Sequence, residues 1–130
     1  MRSKLFVPGS RPELVAKALA GPADAISIDL EDAVDESRKA EARESVAGLL
    51  CDPALDTRGK TIIVRVNGLS TPHFEADVAA VVGPRLDLIN LAKIESAAEV
   101  REAVAALARA EAGSGLARPT RLLVNIETPR

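Results

Sequence analysis

The chain has no tryptophan, no tyrosine and two phenylalanines, so aromatic residues make up 2% of its 130 positions. A core must therefore be built from Ala, Val, Leu and Ile. No row of rings is present on which nucleic-acid bases would stack. A single cysteine, Cys51, excludes an internal disulfide and a multi-thiolate metal site. It follows a helical run and is expected to be inert, and a reducing cytoplasm fits such usage. Neither sign of charge dominates: 17 Lys and Arg against 19 Asp and Glu leave a net charge of −2. The signs are mixed along the chain, without the basic stripe that a nucleic-acid backbone selects, so nucleic acid is not an expected partner. No apolar run approaches membrane-spanning length, and the N-terminal run is too short for a secretory h-region. No membrane association is expected. Repeats and low-complexity segments are also missing.

What is present is an alternation. With 47% hydrophobic and 28% charged residues, the chain can bury a core as one domain. Five strand-like runs are predicted at Lys4–Val7, Ala25–Asp29, Thr61–Val66, Leu86–Leu91 and Arg121–Ile126. Several are almost wholly apolar, as strands covered on both faces are. Four helical runs separate them. The first opens with Ser10-Arg11-Pro12-Glu13, a capping box with proline in the first turn, and then places Leu14, Ala18 and Leu19 on one face. The second, from about Glu36 to Leu50, carries the stripe Ala42, Val46, Leu49 and Leu50. The third begins at Thr71-Pro72 and carries Phe74, Val78, Val81 and Val82. The fourth opens with a second capping box, Ser96-Ala97-Ala98-Glu99, and carries Val100, Ala103, Val104 and Leu107. Gly113–Pro119 reads as a polar, glycine-rich loop.

This β-α-β-α-β-α-β-α-β order implies an α/β fold with a parallel sheet and right-handed crossovers. Either an open doubly wound sheet or a (β/α)8 TIM barrel satisfies it. No Gly-x-Gly-x-x-Gly follows the first strand, which counts against a dinucleotide-binding sheet. Polar residues at the ends of successive strands favour the barrel. A whole barrel takes about 250 residues, so residues 1–130 are expected to be the N-terminal part of a single barrel domain. They supply about the first five strands of a truncated or partial barrel.

In such folds chemistry gathers where strands end, and the strand ends here are rich in charge. Glu127 follows the last strand and offers a hard oxygen of the kind Mg2+ prefers; it reads equally as a solvated loop carboxylate. Arg65 sits in Val-Arg-Val-Asn, where a charge costs energy unless paired or facing a cavity. Its guanidinium can grip a carboxylate through two hydrogen bonds or stabilise a developing oxyanion. It can also simply pair with Glu31 or Asp32. Asp29-Leu30-Glu31-Asp32 crowds three carboxylates into four residues, so cations are expected nearby, although acidity ahead of a helix is common. Pro8-Gly9-Ser10 leads into a helix N-terminus suited to an anion, with Arg11 and Lys17 adding positive charge. Phe6 on its own reads as core. Lys93 reads as electrostatic or structural, and His73, in the first turn of a helix, as a surface residue.

The runs Arg2-Ser3-x-Leu5-Phe6-Val7-Pro8-Gly9-Ser10-Arg11-Pro12-Glu13, Asp29-Leu30-Glu31-Asp32-Ala33-Val34, Val64-Arg65-Val66-Asn67, Lys93-Ile94-Glu95-Ser96 and Ile126-Glu127-Thr128 together resemble the citrate lyase β-subunit and malyl-CoA lyase family. That family lies within the aldolase group named for HpcH and HpaI. The resemblance covers the whole chain in order. It implies a (β/α)8 barrel that binds Mg2+ and cleaves or forms a carbon–carbon bond beside an acyl-CoA thioester. It further implies Glu127 as a metal ligand, with a second ligand, an Asp, expected beyond Arg130. Arg65 would contact the oxo-acid part of the substrate, and Glu31 and Asp32 would orient Arg65 and metal-bound water. Phe6, Arg11 and Lys17 would line the CoA site.

The expected activity is that of a carbon–carbon lyase acting on a citryl-, malyl- or citramalyl-CoA type substrate, with the 130 residues alone inactive. Two alternatives stand beside it: a metal-dependent aldolase acting on a free oxo acid without CoA, and an inert half-barrel serving binding or assembly. By the same resemblance the protein is expected to be a cytoplasmic homo-oligomer, a trimer or hexamer.

Overall fold

A computed structural model of the chain describes residues 3–52, 54–83, 85–114 and 121–126, with backbone alone for 92, 113–114 and 121–126. The elements alternate as β1 (Lys4–Pro8), α1 (Glu13–Leu19), β2 (Ala25–Asp29), α2 (Lys39–Cys51, preceded by a 3-10 turn at Glu36–Arg38), β3 (Thr61–Val66), α3 (Phe74–Val81), β4 (Leu88–Ile94), α4 (Ala97–Ser114) and β5 (Arg121–Ile126). The five strands form one sheet in the order β1-β2-β3-β4-β5. Every neighbouring pair is parallel. Unbroken sequential order with helical crossovers is the arrangement of a (β/α)8 barrel, of which this chain carries five strands.

Strand parity separates the two faces of the sheet. Val7, Ile26, Ile28, Ile62, Val64, Val66, Ile89 and Leu91 join one hydrophobic cluster with Val15, Ala18, Leu19, Ala42, Val46, Leu50, Val78, Val81, Ala103 and Leu107 from the four helices. All four helices thus cover the same face, and α3 packs between α2 and α4. Truncating Ile28, which is fully buried, to Ala removes roughly 2–5 kcal/mol of stability by cavity formation. The opposite parity holds Ser27, Asp29, Ile63, Arg65 and Asn90, and this is the inner face. Pro8, Asp29, Arg65 and Asn90 lie side by side in one row of the register. Polar side chains are therefore stacked across the inner face at the C-terminal ends of the strands.

Local chemistry departs from the sequence reading in four places. The first capping box does not form: α1 starts at Glu13 with Pro12 at its cap and no side-chain hydrogen bond there. Arg11, which lies between the two halves of that box, is instead salt-bridged to Glu13 at 2.6 Å. The second box forms in altered shape. Ser96 Oγ accepts the Glu99 N–H at 3.2 Å, while Glu99 Oε1 accepts the N–H of Glu95 at 2.7 Å, one residue further back than expected. Helix α4 buries Ala106 in place of Val104, which is 49% exposed. Strand β4 runs Leu88–Ile94, not Leu86–Leu91, because a bulge carries pairing past Leu91.

A buried polar clamp ties α2, α3 and the end of β3 together. Asp77 is fully buried. Its Oδ1 accepts Arg43 Nε at 2.8 Å, and its Oδ2 accepts the backbone N–H and Nδ2 of Asn67 at 3.0 and 2.6 Å. Arg43 Nη2 lies 3.2 Å from His73 Nδ1, and His73 Nε2 lies 2.5 Å from Glu36 Oε2. A guanidinium only donates, so Nδ1 accepts and the imidazole proton sits on Nε2. His73 is therefore a half-buried link in this clamp and not the surface residue its position suggests.

Candidate active site

The row that ends β2 and β3 brings Asp29 and Arg65 into direct pairing. Arg65 donates from Nε to Asp29 Oδ1 at 2.9 Å and from Nη2 to Oδ2 at 2.6 Å. Asp29 also accepts the backbone N–H of Glu31 at 2.8 Å and of Ala33 at 3.0 Å. One carboxylate thus folds the acidic loop and aligns the guanidinium. Burial opposes the charged form of Asp29 more strongly than any other single influence. The Arg65 hydrogen bonds and the two N–H donors together outweigh it and hold the carboxyl below the usual range. The same pairing, set against partial burial, raises Arg65 further above its already high value. Lys39, in the first turn of α2, braces the loop from below by donating to the carbonyls of Leu30, Glu31 and Val34 at 3.2, 2.8 and 3.1 Å.

Sequence reading paired Arg65 with Glu31 or Asp32; the structure shows the Glu31 ion pair and adds Asp29 as the hydrogen-bonded partner. Glu31 stands further off, its Oε1 3.8 Å from Arg65 Nη1, while its Oε2 meets Lys93 Nζ at 3.0 Å. Asp32 is exposed and comes no nearer than 3.8 Å to Lys93. Lys39 had no sequence signal, because nothing in Glu-Ser-Arg-Lys marks a residue that reaches back to three carbonyls. Gly9 fits tightly beside this loop: its N–H donates to Asp29 O at 2.7 Å. A Cβ built there would stand 2.7 Å from Leu30 Cδ2 and 2.9 Å from Asp29 O. Glycine is required by this close approach.

Among the described residues, three buried side-chain atoms have no hydrogen-bond partner: Ser27 Oγ, Glu31 Oε1 and Asn90 Oδ1. Ser27 and Asn90 are on the inner face, and Glu31 stands at the end of β2. Buried polar atoms are rarely left unpaired, and each one that is calls for an explanation, such as strain, a catalytic role, or a bound water or ion. Arg65 Nη1 makes no hydrogen bond among the described residues, so a donor edge and acceptor atoms converge on one side of the sheet. An anionic or carbonyl group placed there would be held by the guanidinium.

The residues expected to line a CoA site are less gathered. Phe6 shares the inner-face parity of Ser27, is 58% exposed, and has Lys4 Nζ 5.0 Å from its ring centre. Arg11 is occupied by Glu13 at the surface. Lys17 is exposed on α1, which packs against the other face. The N–H groups of Arg11, Leu14 and Val15 already donate to carbonyls of the same turn, so the short α1 presents fewer donors to an anion than expected. Glu127 lies outside the described residues. Among the described residues no group of three His, Cys, Asp or Glu side chains is placed to hold a metal ion.

Known proteins resemble this chain in sequence and fold. Over an alignment of 130 residues the chain is 39% identical to the L-malyl-CoA/beta-methylmalyl-CoA lyase of Cereibacter sphaeroides, with 98% of this chain and 40% of that protein covered. It is 38% identical to the citrate lyase subunit beta of Leuconostoc mesenteroides subsp. cremoris, with 98% and 42% covered. Its fold superposes with a TM-score of 0.70 and 33% identity on the protein CitE from Mycobacterium tuberculosis, solved in complex with magnesium, acetoacetate and coenzyme A. That match covers 96% of this chain and 39% of CitE. The chain thus spans about 40% of the length of the curated relatives it matches. With the family model matching residues 2–130, the chain belongs to the HpcH/HpaI aldolase/citrate lyase family.

Proposed function

We propose that residues 1–130 form the N-terminal part of one barrel domain, and that the protein carrying them is a Mg2+-dependent carbon–carbon lyase acting on a hydroxyacyl-CoA of the malyl, citramalyl or citryl type. The observation that carries this reading is the open Nη1 edge of Arg65 beside the buried, unpartnered Glu31 Oε1. In the reaction the substrate hydroxyl loses its proton and the adjacent carbon–carbon bond breaks. The products are an oxo acid and the enolate of an acyl-CoA, which is then protonated.

Arg65 is assigned the oxo-acid end. Two of its nitrogens are fixed on Asp29, so Nη1 is aimed without further ordering at an oxygen gaining negative charge. Glu31 is assigned the orientation of water and of Arg65, with Asp32 at the rim. Phe6, Arg11 and Lys17 are assigned to the CoA moiety; for Arg11 this requires exchanging Glu13 for a phosphate. Glu31 Oε1 is an acceptor of the kind that water on a hard cation seeks. The described residues thus fit the surroundings of Mg2+, with Glu127 and an Asp beyond residue 130 as its direct ligands. When bound, the ion supplies Lewis-acid polarisation of substrate oxygens. Among the described residues no helix is long and apolar enough to cross a membrane, and a cytoplasmic homo-oligomer, a trimer or hexamer, completes the reading.

A chain of the relatives' length carrying these residues should be assayed with malyl-, citramalyl- and citryl-CoA and with the corresponding free hydroxy acids, in Mg2+ and after EDTA. The expected result is cleavage of at least one thioester, abolished by EDTA, with the free acids inert. Cleavage of free acids would favour the CoA-independent aldolase. Cleavage indifferent to EDTA would remove the metal from the account.

A further inference from the structure

Strand β4 carries one residue more than its pairing with β5 requires. Leu91 pairs with Val124 and Ile94 with Ile126, so three steps on one strand meet two on the other. Lys93 lies in this bulge with φ 56°, the left-handed region in which glycine is favoured. The other non-glycine residue with positive φ among the described residues, Arg58, sits in an exposed turn next to Gly59. Lys93 is different, because it lies inside a strand.

Strict alternation from Asn90 on the inner face would turn Lys93 toward the helices. The bulge turns it the other way. Its Nζ crosses over β3 and arrives 3.0 Å from Glu31 Oε2 and 3.8 Å from Asp32 Oδ1, at the end of β2. Left-handed backbone costs a lysine more than a glycine, and an ion pair whose lysine side chain is 63% exposed returns little stability. What the side chain does achieve is orientation. It engages one oxygen of Glu31 and leaves the other, Oε1, buried without a partner and 3.8 Å from Arg65 Nη1.

We propose that Lys93 is a positioning residue for the lyase reaction: the β4 bulge aims its ammonium group at Glu31 Oε2, which holds Glu31 Oε1 toward the Arg65 edge where substrate is bound. The role rests on the function proposed above, and it lies with Glu31, not with direct contact to substrate.

The test uses Lys93→Gly, Lys93→Met, Lys93→Arg, Glu31→Gln and the Lys93→Met/Glu31→Gln double variant in a chain of the relatives' length. Lys93→Gly is expected to melt at or above the wild-type temperature, since glycine relieves the backbone, while kcat falls roughly 10- to 100-fold and KM changes little. Lys93→Met falls likewise, and Lys93→Arg recovers part of the loss. Adding Lys93→Met to Glu31→Gln costs nothing further, because both act through one carboxylate. Lys93→Met and Lys93→Gly enzymes as fast as the wild type would overturn the role, as would losses that multiply in the double variant. A wild-type protein that cleaves no hydroxyacyl thioester would overturn the functional reading, and this role with it. An active wild type with unaffected Lys93 variants overturns this role alone.

Discussion

Asp29 and Asp77 are both buried aspartates, and each is gripped by an arginine from a neighbouring element, Arg65 at 2.6 Å and Arg43 at 2.8 Å. Their surroundings differ. Around Asp77 both carboxylate oxygens are bonded, and the clamp closes through Asn67, His73 and Glu36. It lies where α2 and α3 meet the end of β3. Around Asp29 the carboxylate is equally well satisfied, but its neighbours are not. Arg65 Nη1 makes no hydrogen bond among the described residues, Glu31 Oε1 has no hydrogen-bond partner, and Lys93 sits in left-handed backbone. A closed network of buried charge specifies a packing arrangement. One left open at a strand end stores binding capacity for something else, and strain collects at such places.

The largest expected effect tests the closed cluster. Asp77→Ala strands Arg43 and Asn67 and should lower stability by roughly 3–5 kcal/mol, read as a fall in denaturant midpoint. Whatever fraction remains folded should keep its kcat. Loss of catalysis without loss of stability would break the distinction between the two regions. Next in size, Arg65→Lys should lower kcat about 100- to 1000-fold, since a lysine cannot hold Asp29 by two bonds and still present a directed donor. Near-normal turnover in this variant would place the chemistry elsewhere.

A smaller effect sharpens the role of Asp29. Its folded-state carboxyl is held below the usual range, so its pairing contributes stability above the unfolded-state value and loses it as pH falls through the folded-state value. The wild type should therefore be more stable than Asp29→Asn at neutral pH, with the difference shrinking under acid. A difference in melting temperature that stays constant through the acid range would contradict the pairing.

Much of this fold was legible because it depends on periodicity. The strand runs and the stripe Ala42, Val46 and Leu50 follow from alternation and helical spacing alone. The end of β4 was not legible. A bulge is a pairing event with β5, and nothing within Leu-Ala-Lys-Ile records it. The first capping box failed because Arg11 offered Glu13 a better partner than a backbone N–H. At the site, charge density marked Asp29, Glu31, Asp32 and Arg65, but spacing did not say which carboxylate takes the arginine. That choice is set by the register, which puts Asp29 directly beside Arg65. Glu31 lies two residues further on, past the end of β2, and faces Lys93.

The most direct test of the open cluster as the seat of chemistry is Glu31→Gln in a chain of the relatives' length, with melting temperature and kcat measured on the same preparation. The substitution keeps shape and removes charge. The account predicts a melting temperature near that of the wild type and a kcat lower by roughly 100-fold. A variant that turns over at the wild-type rate while melting well below it would show that Glu31 serves the fold and not the reaction.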